Sequence, residues 1–169
     1  MGFIRPKDKD TSQTITATLS SSEISSLENY FERWSVYDIQ SLINSISTKS
    51  EEFKRKWAKK CINLKEELNG EITTLNYSNL NVGVKNGIVN YLRFNIKNLP
   101  NEEIPVFKNI NPYSTKSEIM SYLGQYIKFE TGEYYNSRLI YTWALNDILD
   151  IRIAFNNQEK LTNIQIIKK

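Results

Sequence analysis

Leu139 to Ile167 read LIYTWALNDILDIRIAFNNQEKLTNIQII. Tyr141 and Trp143, then Ile151, Ile153 and Phe155, then Ile164 and Ile166 recur at every second position, the spacing that gathers side chains on one face of a β-strand. The pattern is broken at Asn146-Asp147 and at NNQEK, Asn156 to Lys160, which are rich in turn-forming residues. The stretch therefore predicts three strands, Leu139 to Leu145, Ile148 to Phe155 and Leu161 to Ile167. Connections this short join antiparallel neighbours, so these strands form a meander. The same alternation turns Thr142, Asp150, Arg152, Ala154, Asn163 and Gln165 to the opposite, outward face.

Upstream, YSTKSEIMSYLGQY, Tyr113 to Tyr126, predicts a short helix that opens on the capping box Thr115-x-x-Glu118, sets Ile119 and Leu123 on one side and stops at Gly124. Between helix and strands, IKFETGEYY, Ile127 to Tyr135, reads either as a small hairpin around Thr131-Gly132 or as a Tyr-rich loop. LPNEEIP, Leu99 to Pro105, carries two prolines and marks residues 99–112 as a linker between a half at 20–98 and a half at 113–169. Residues 1–19 are polar and rich in Thr and Ser, and read as an extended arm.

The first half starts helical. Ser20-x-x-Glu23 precedes Ile24, Leu27, Phe31 and Trp34; Ser35-x-x-Asp38 precedes Ile39, Leu42, Ile43 and Ile46. Thr48-x-x-Glu51 predicts a third, longer helix whose stripe runs through Phe53, Trp57, Cys61, Leu64 and Leu68 to a stop at Gly70. Glu71 to Tyr77 and Ile88 to Ile96 then alternate, with Asn86-Gly87 as a turn, and predict a hairpin that faces Leu92, Phe94 and Ile96 inward and Tyr91, Arg93 and Asn95 outward. The expected fold is α+β, with three N-terminal helices before the first hairpin and an antiparallel sheet. Ser35-x-x-Asp38-Ile39-x-Ser41-x-Ile43 also matches Thr115-x-x-Glu118-Ile119-x-Ser121-x-Leu123, which leaves open whether the halves are two degenerate helix-plus-meander repeats packed together.

Thr115-x-x-Glu118-Ile119, Leu123-Gly124, Tyr141-x-Trp143, Ile151-x-Ile153-x-Phe155 and Leu161-x-x-Ile164-x-Ile166 together resemble the helix-then-meander unit of BamE-like outer-membrane lipoproteins, a unit that occurs as a tandem repeat in beta-lactamase inhibitory protein. The resemblance implies a sheet that binds another protein. The lipidated Cys of the first group and the disulfides of the second have no counterpart, since Cys61 is the single cysteine.

The composition points away from catalysis. With 0 His the chain lacks the usual near-neutral acid/base group and the commonest metal ligand. Cys61 falls on an apolar stripe with nothing to activate it. Glu51/Glu52, Glu66/Glu67 and Glu102/Glu103 are adjacent pairs, which point apart on a helix or strand, and Gly83-x-x-x-Gly87 lacks the Lys-Ser/Thr of a phosphate loop. No catalytic residue, metal site or cofactor is expected. A net charge of +3 with KRKWAKK, Lys54 to Lys60, flanking a core seam argues against nucleic acid as the main partner. No window is apolar for the roughly 20 residues of a membrane span. The location expected is cytoplasmic, or periplasmic or secreted if a signal ahead of Met1 was removed.

The function expected is that of a protein-binding module, an immunity- or inhibitor-type protein that neutralises a partner protein, a toxin or an enzyme, through its exposed sheet face. The candidate contact residues are Tyr91, Arg93, Asn95, Asp150, Arg152 and Gln165 on that face, with Tyr134 and Tyr135 in the preceding loop. The alternative is a structural subunit of a phage virion or envelope assembly, with the arm Met1 to Leu19 laid on a neighbour.

Overall fold

The computed structural model describes residues 33–107, 109–134 and 137–169; the arm at 1–19, the helix expected from Ser20 and the candidate Tyr135 lie outside them. Among the described residues three α-helices, α1 Val36–Asn44, α2 Ser50–Lys56 and α3 Lys116–Leu123, accompany eight strands. These are β1 Lys65–Asn69, β2 Ile72–Tyr77, β3 Leu80–Lys85, β4 Ile88–Asn95, β5 Lys128–Tyr134, β6 Ser137–Ala144, β7 Leu149–Phe155 and β8 Leu161–Lys168. They form one antiparallel sheet in the order β1-β2-β3-β4-β8-β7-β6-β5. The class is α+β, and two four-stranded meanders meet through their last strands, β4 and β8.

The alternating residues set the register. Trp143 lies opposite Ile151, Ile151 opposite Ile166, Ile166 opposite Leu92, Leu92 opposite Val82 and Val82 opposite Leu75, one apolar row across six strands. Every member is at most 1% exposed. Each such side chain contributes roughly 1.5–3 kcal/mol on burial, and a one-residue slip of any strand would turn its share of the row to water. Tyr141, Ile153, Ile164 and Phe94 make a parallel row beside it.

Both capping boxes at Ser35 and Thr115 form. The Ser35 hydroxyl accepts from the Asp38 amide at 3.0 Å, and the Thr115 hydroxyl from the Glu118 amide at 3.2 Å. α3 stops at Gly124, whose φ of 73° suits a residue without Cβ, and whose carbonyl accepts from the Trp143 indole Nε1 at 2.9 Å. Asn86 and Gly87, at φ 52° and 74°, make the two-residue turn between β3 and β4. Leu99, Ile104, Phe107 and Ile110, within the stretch read as a linker, are buried in the same core as the sheet.

Three expectations are corrected. The long third helix ends at Lys56, its N-cap is Lys49 without a side-chain bond, and the Thr48 hydroxyl instead donates to the Ser45 carbonyl. Residues 65–69 are edge strand β1, leaving Leu64 and Leu68 exposed, and Gly70 opens a hairpin turn. The cause is tertiary: the free edge of β2 offers a ladder of backbone partners, and Asn63 takes a left-handed φ of 57° to deliver the chain to it. Second, the N-terminal hairpin is part of a meander, because Leu80–Lys85 is an additional strand between the two expected ones. Third, Lys128–Tyr134 is one strand paired to β6 with a bulge after Thr131, neither a hairpin around Thr131-Gly132 nor a loop. The helices are not all N-terminal: α3 lies between β4 and β5, where the Thr115 capping box and Gly124 place it.

Candidate functional site

The face of the sheet opposite the apolar rows is polar. Its central row runs Lys65–Asn76–Asn81–Arg93–Gln165–Arg152–Thr142–Lys128, each residue the cross-strand partner of the next, over all eight strands. Lys65, Arg93, Arg152 and Lys128 supply positive charge to this row, and no carboxylate stands in it. On one side runs Glu67–Thr74–Gly83–Tyr91–Ile167–Asp150–Ala144. On the other runs Asn95–Asn163–Ala154–Ile140–Glu130.

A concavity of about 610 Å³ lies over the central row, lined by strand residues alone, among them Arg93, Asn95, Arg152 and Gln165. The structure thus brings those four candidates together. The Arg93 Nε donates to Asn81 Oδ1 at 3.3 Å, and Asn81 Nδ2 in turn donates to Asn76 Oδ1 at 2.8 Å, so this guanidinium is tethered from the β3 side. Gln165 and Thr142 are nearly closed to solvent, at 9% and 5% exposed. Arg152 Nε and Thr142 Oγ1, on directly paired residues, are both buried without a hydrogen-bonding partner among the described residues.

The other candidates stand apart from the concavity. Tyr91 is on the outer face, but its ring lies against Gly83, its neighbour across the strands: a Cβ there would be 1.9 Å from Tyr91 Cε2. Asp150 sits in the same side row and pairs with Lys169 at 3.7 Å. Tyr134 is opposite Ser137 at the end of edge strand β5, remote from the central row. Sequence reading missed Lys65, Asn76, Asn81 and Lys128 as members of the row. Leu80-x-Val82-x-Val84 was the legible signal for β3, and with it for Asn81; β1 carried no such signal.

The rest of the molecule offers little chemistry. Burial pushes the Cys61 thiol up to about 12, which leaves it protonated and unreactive at neutral pH. The described residues hold no group of three or more His, Cys, Asp or Glu able to bind a metal, and no described helix is long and apolar enough to cross a membrane. Three cations of the basic run on and just after α2 are engaged at home: Lys54 bonds Glu51 and Glu66 at 3.4 and 3.3 Å, Lys60 bonds Asp38 at 2.8 Å, and Lys56 and Lys60 lie 5.7 and 5.9 Å from the Trp57 ring centre. Compared with models of protein families, with curated proteins and with solved structures, the chain finds no match.

Proposed function

We propose that the chain is a non-enzymatic protein-binding module of the immunity or inhibitor type, which neutralises a partner protein by docking on the outer face of its sheet. The observation that carries this reading is the continuous polar row with two arginines at its centre, in a concavity lined by strands from both meanders. Arg is among the residue types that dominate protein interfaces, and a rigid sheet holds it in place before contact, so little ordering entropy is lost on binding. We read the two halves as degenerate repeats of the helix-plus-meander unit seen in BamE-like proteins and beta-lactamase inhibitory protein. Two features support this: the capped helices α1 and α3 each precede four strands, and β4 and β8 meet antiparallel.

The experiment is a pull-down with the full chain as bait, followed by titration of the captured partner with three variants. Arg93→Ala and Arg152→Ala are expected to change stability by no more than about 0.5 kcal/mol, as outward strand positions do. Each should weaken the partner by about tenfold or more, within the loss of a charged interface contact. Trp143→Ala, which empties a core position that is 1% exposed, is the contrast and should cost roughly 3–5 kcal/mol of stability. Undiminished binding by both arginine variants would sink the outer-face reading.

A further inference from the structure

We infer that the slot between Arg93 and Arg152 receives a carboxylate from an acidic loop of the partner; this rests on the outer face being the docking surface. Arg93, Gln165 and Arg152 are consecutive cross-strand neighbours on β4, β8 and β7. Two strand spacings set the guanidinium-bearing backbones about 9.6 Å apart, a span that two arginine side chains can close around one small oxyanion. The floor of the slot is the buried Gln165.

Two features make the slot incomplete as it stands. Arg152 Nε is a buried polar atom without a hydrogen-bonding partner among the described residues, a condition native proteins rarely leave standing. Arg152 lines the concavity together with Arg93, so an acceptor that enters it meets both guanidinium groups. Charge decides which acceptor. Among the described residues neither Arg93 nor Arg152 takes part in an ion pair, so a neutral carbonyl would leave two guanidinium charges uncompensated. A carboxylate accepts from both guanidinium groups and neutralises one of the charges. The flanking rows bear Glu67 and Asp150 on one side and Glu130 on the other, which favours one inserted carboxylate over a polyanion laid along the sheet.

The test uses the full-length chain, isotopically labelled for observation of arginine Nε–H signals by NMR. The probes are a capped Gly-Glu-Gly-Glu-Gly peptide, its Gln counterpart and a single-stranded octathymidylate. The Glu peptide should move the Arg93 and Arg152 Nε–H signals saturably, and the Gln peptide should bind about tenfold more weakly or less, as loss of a charge-assisted bond requires. Arg152→Lys keeps the charge but removes the planar fork, and should weaken the Glu peptide by about tenfold. Equal shifts from both peptides, or still Nε–H signals, overturn the inference. So does tighter binding of the oligonucleotide at the same signals, which would reassign the slot to phosphate. A captured partner that needs Arg93 while the Glu peptide leaves the slot unmoved refutes the carboxylate and spares the docking face. A slot that titrates as expected while a captured partner ignores both arginines refutes the docking face instead.

Discussion

Gly83 and Tyr91 give the sharpest check on how the outer face is built. An ideal Cβ on Gly83 would lie 1.9, 2.1 and 2.6 Å from three atoms of the Tyr91 ring. Ordinary contact is nearer 3.5 Å, so the ring must retreat by about 1.5 Å or swing into solvent, and overpacking of this kind costs about 1–3 kcal/mol. Gly83 has no left-handed φ, so Ala is otherwise acceptable there. Replacing a strand glycine by Ala should then gain about 0.5–1 kcal/mol from the less flexible unfolded chain. The two terms oppose each other only while the ring is present. Gly83→Ala should therefore destabilise the parent, and should be neutral or stabilising in a Tyr91→Ala background, a coupling of about 1–3 kcal/mol. Urea unfolding followed by tryptophan fluorescence on the four members of the cycle measures it. If Gly83→Ala has the same effect in both backgrounds to within about 0.5 kcal/mol, the ring does not rest on the glycine and the reasoning fails.

Two further outcomes follow from burial. Cys61, raised by burial from 9.0 to about 12, keeps its proton in the folded chain over a pH range in which the unfolded chain has released it. Below about pH 9 both states are protonated and the effect is absent; between about 9 and 12 the unfolded state binds fewer protons, so stability falls as pH rises. Cys61→Ala should flatten that decline by up to about 1.4 kcal/mol per pH unit, and identical slopes in urea melts from pH 7.5 to 10.5 would refute it. Leu68, 76% exposed on β1, should tolerate Ser within about 0.5 kcal/mol, whereas Leu75→Ala, at a position 1% exposed on β2, should cost about 2–5 kcal/mol. Comparable losses at the two positions in thermal melts would restore the helical reading of residues 64–68.

What could be read from the sequence was whatever local chemistry dictates. The capping boxes at Ser35 and Thr115, the Asn86-Gly87 turn and the alternation in β6, β7 and β8 are each decided by neighbouring residues, and each appears where it was expected. So is the outward placement of Arg93, Asn95, Arg152 and Gln165, which follows from the period of two. Leu64 and Leu68 misled because they continue the helical spacing of Phe53, Trp57 and Cys61, and nothing within that stretch reports the ladder waiting on β2. The turn out of the helix is held from elsewhere: the Ser78 amide donates to the Ile62 carbonyl at 2.9 Å, and Asn63 Nδ2 donates to the Ser78 hydroxyl at 2.9 Å. Local periodicity is blind to such partners.

The candidate slot belongs to this second, non-local kind. Arg93 and Arg152 come from different meanders, and only the antiparallel join of β4 to β8 sets Gln165 between them. Parity of the alternation alone would allow a join displaced by two residues, which keeps every side chain on its proper face but moves Arg93 out of the row of Arg152. The inner face removes that freedom. Leu92 against Ile166 and Phe94 against Ile164 are all 0% exposed, and a two-residue shift would carry Leu92 or Phe94 past the end of its matched row. The apolar packing on the covered side therefore fixes the spacing of charge on the open side, and the geometry offered to a partner is set by residues the partner never touches.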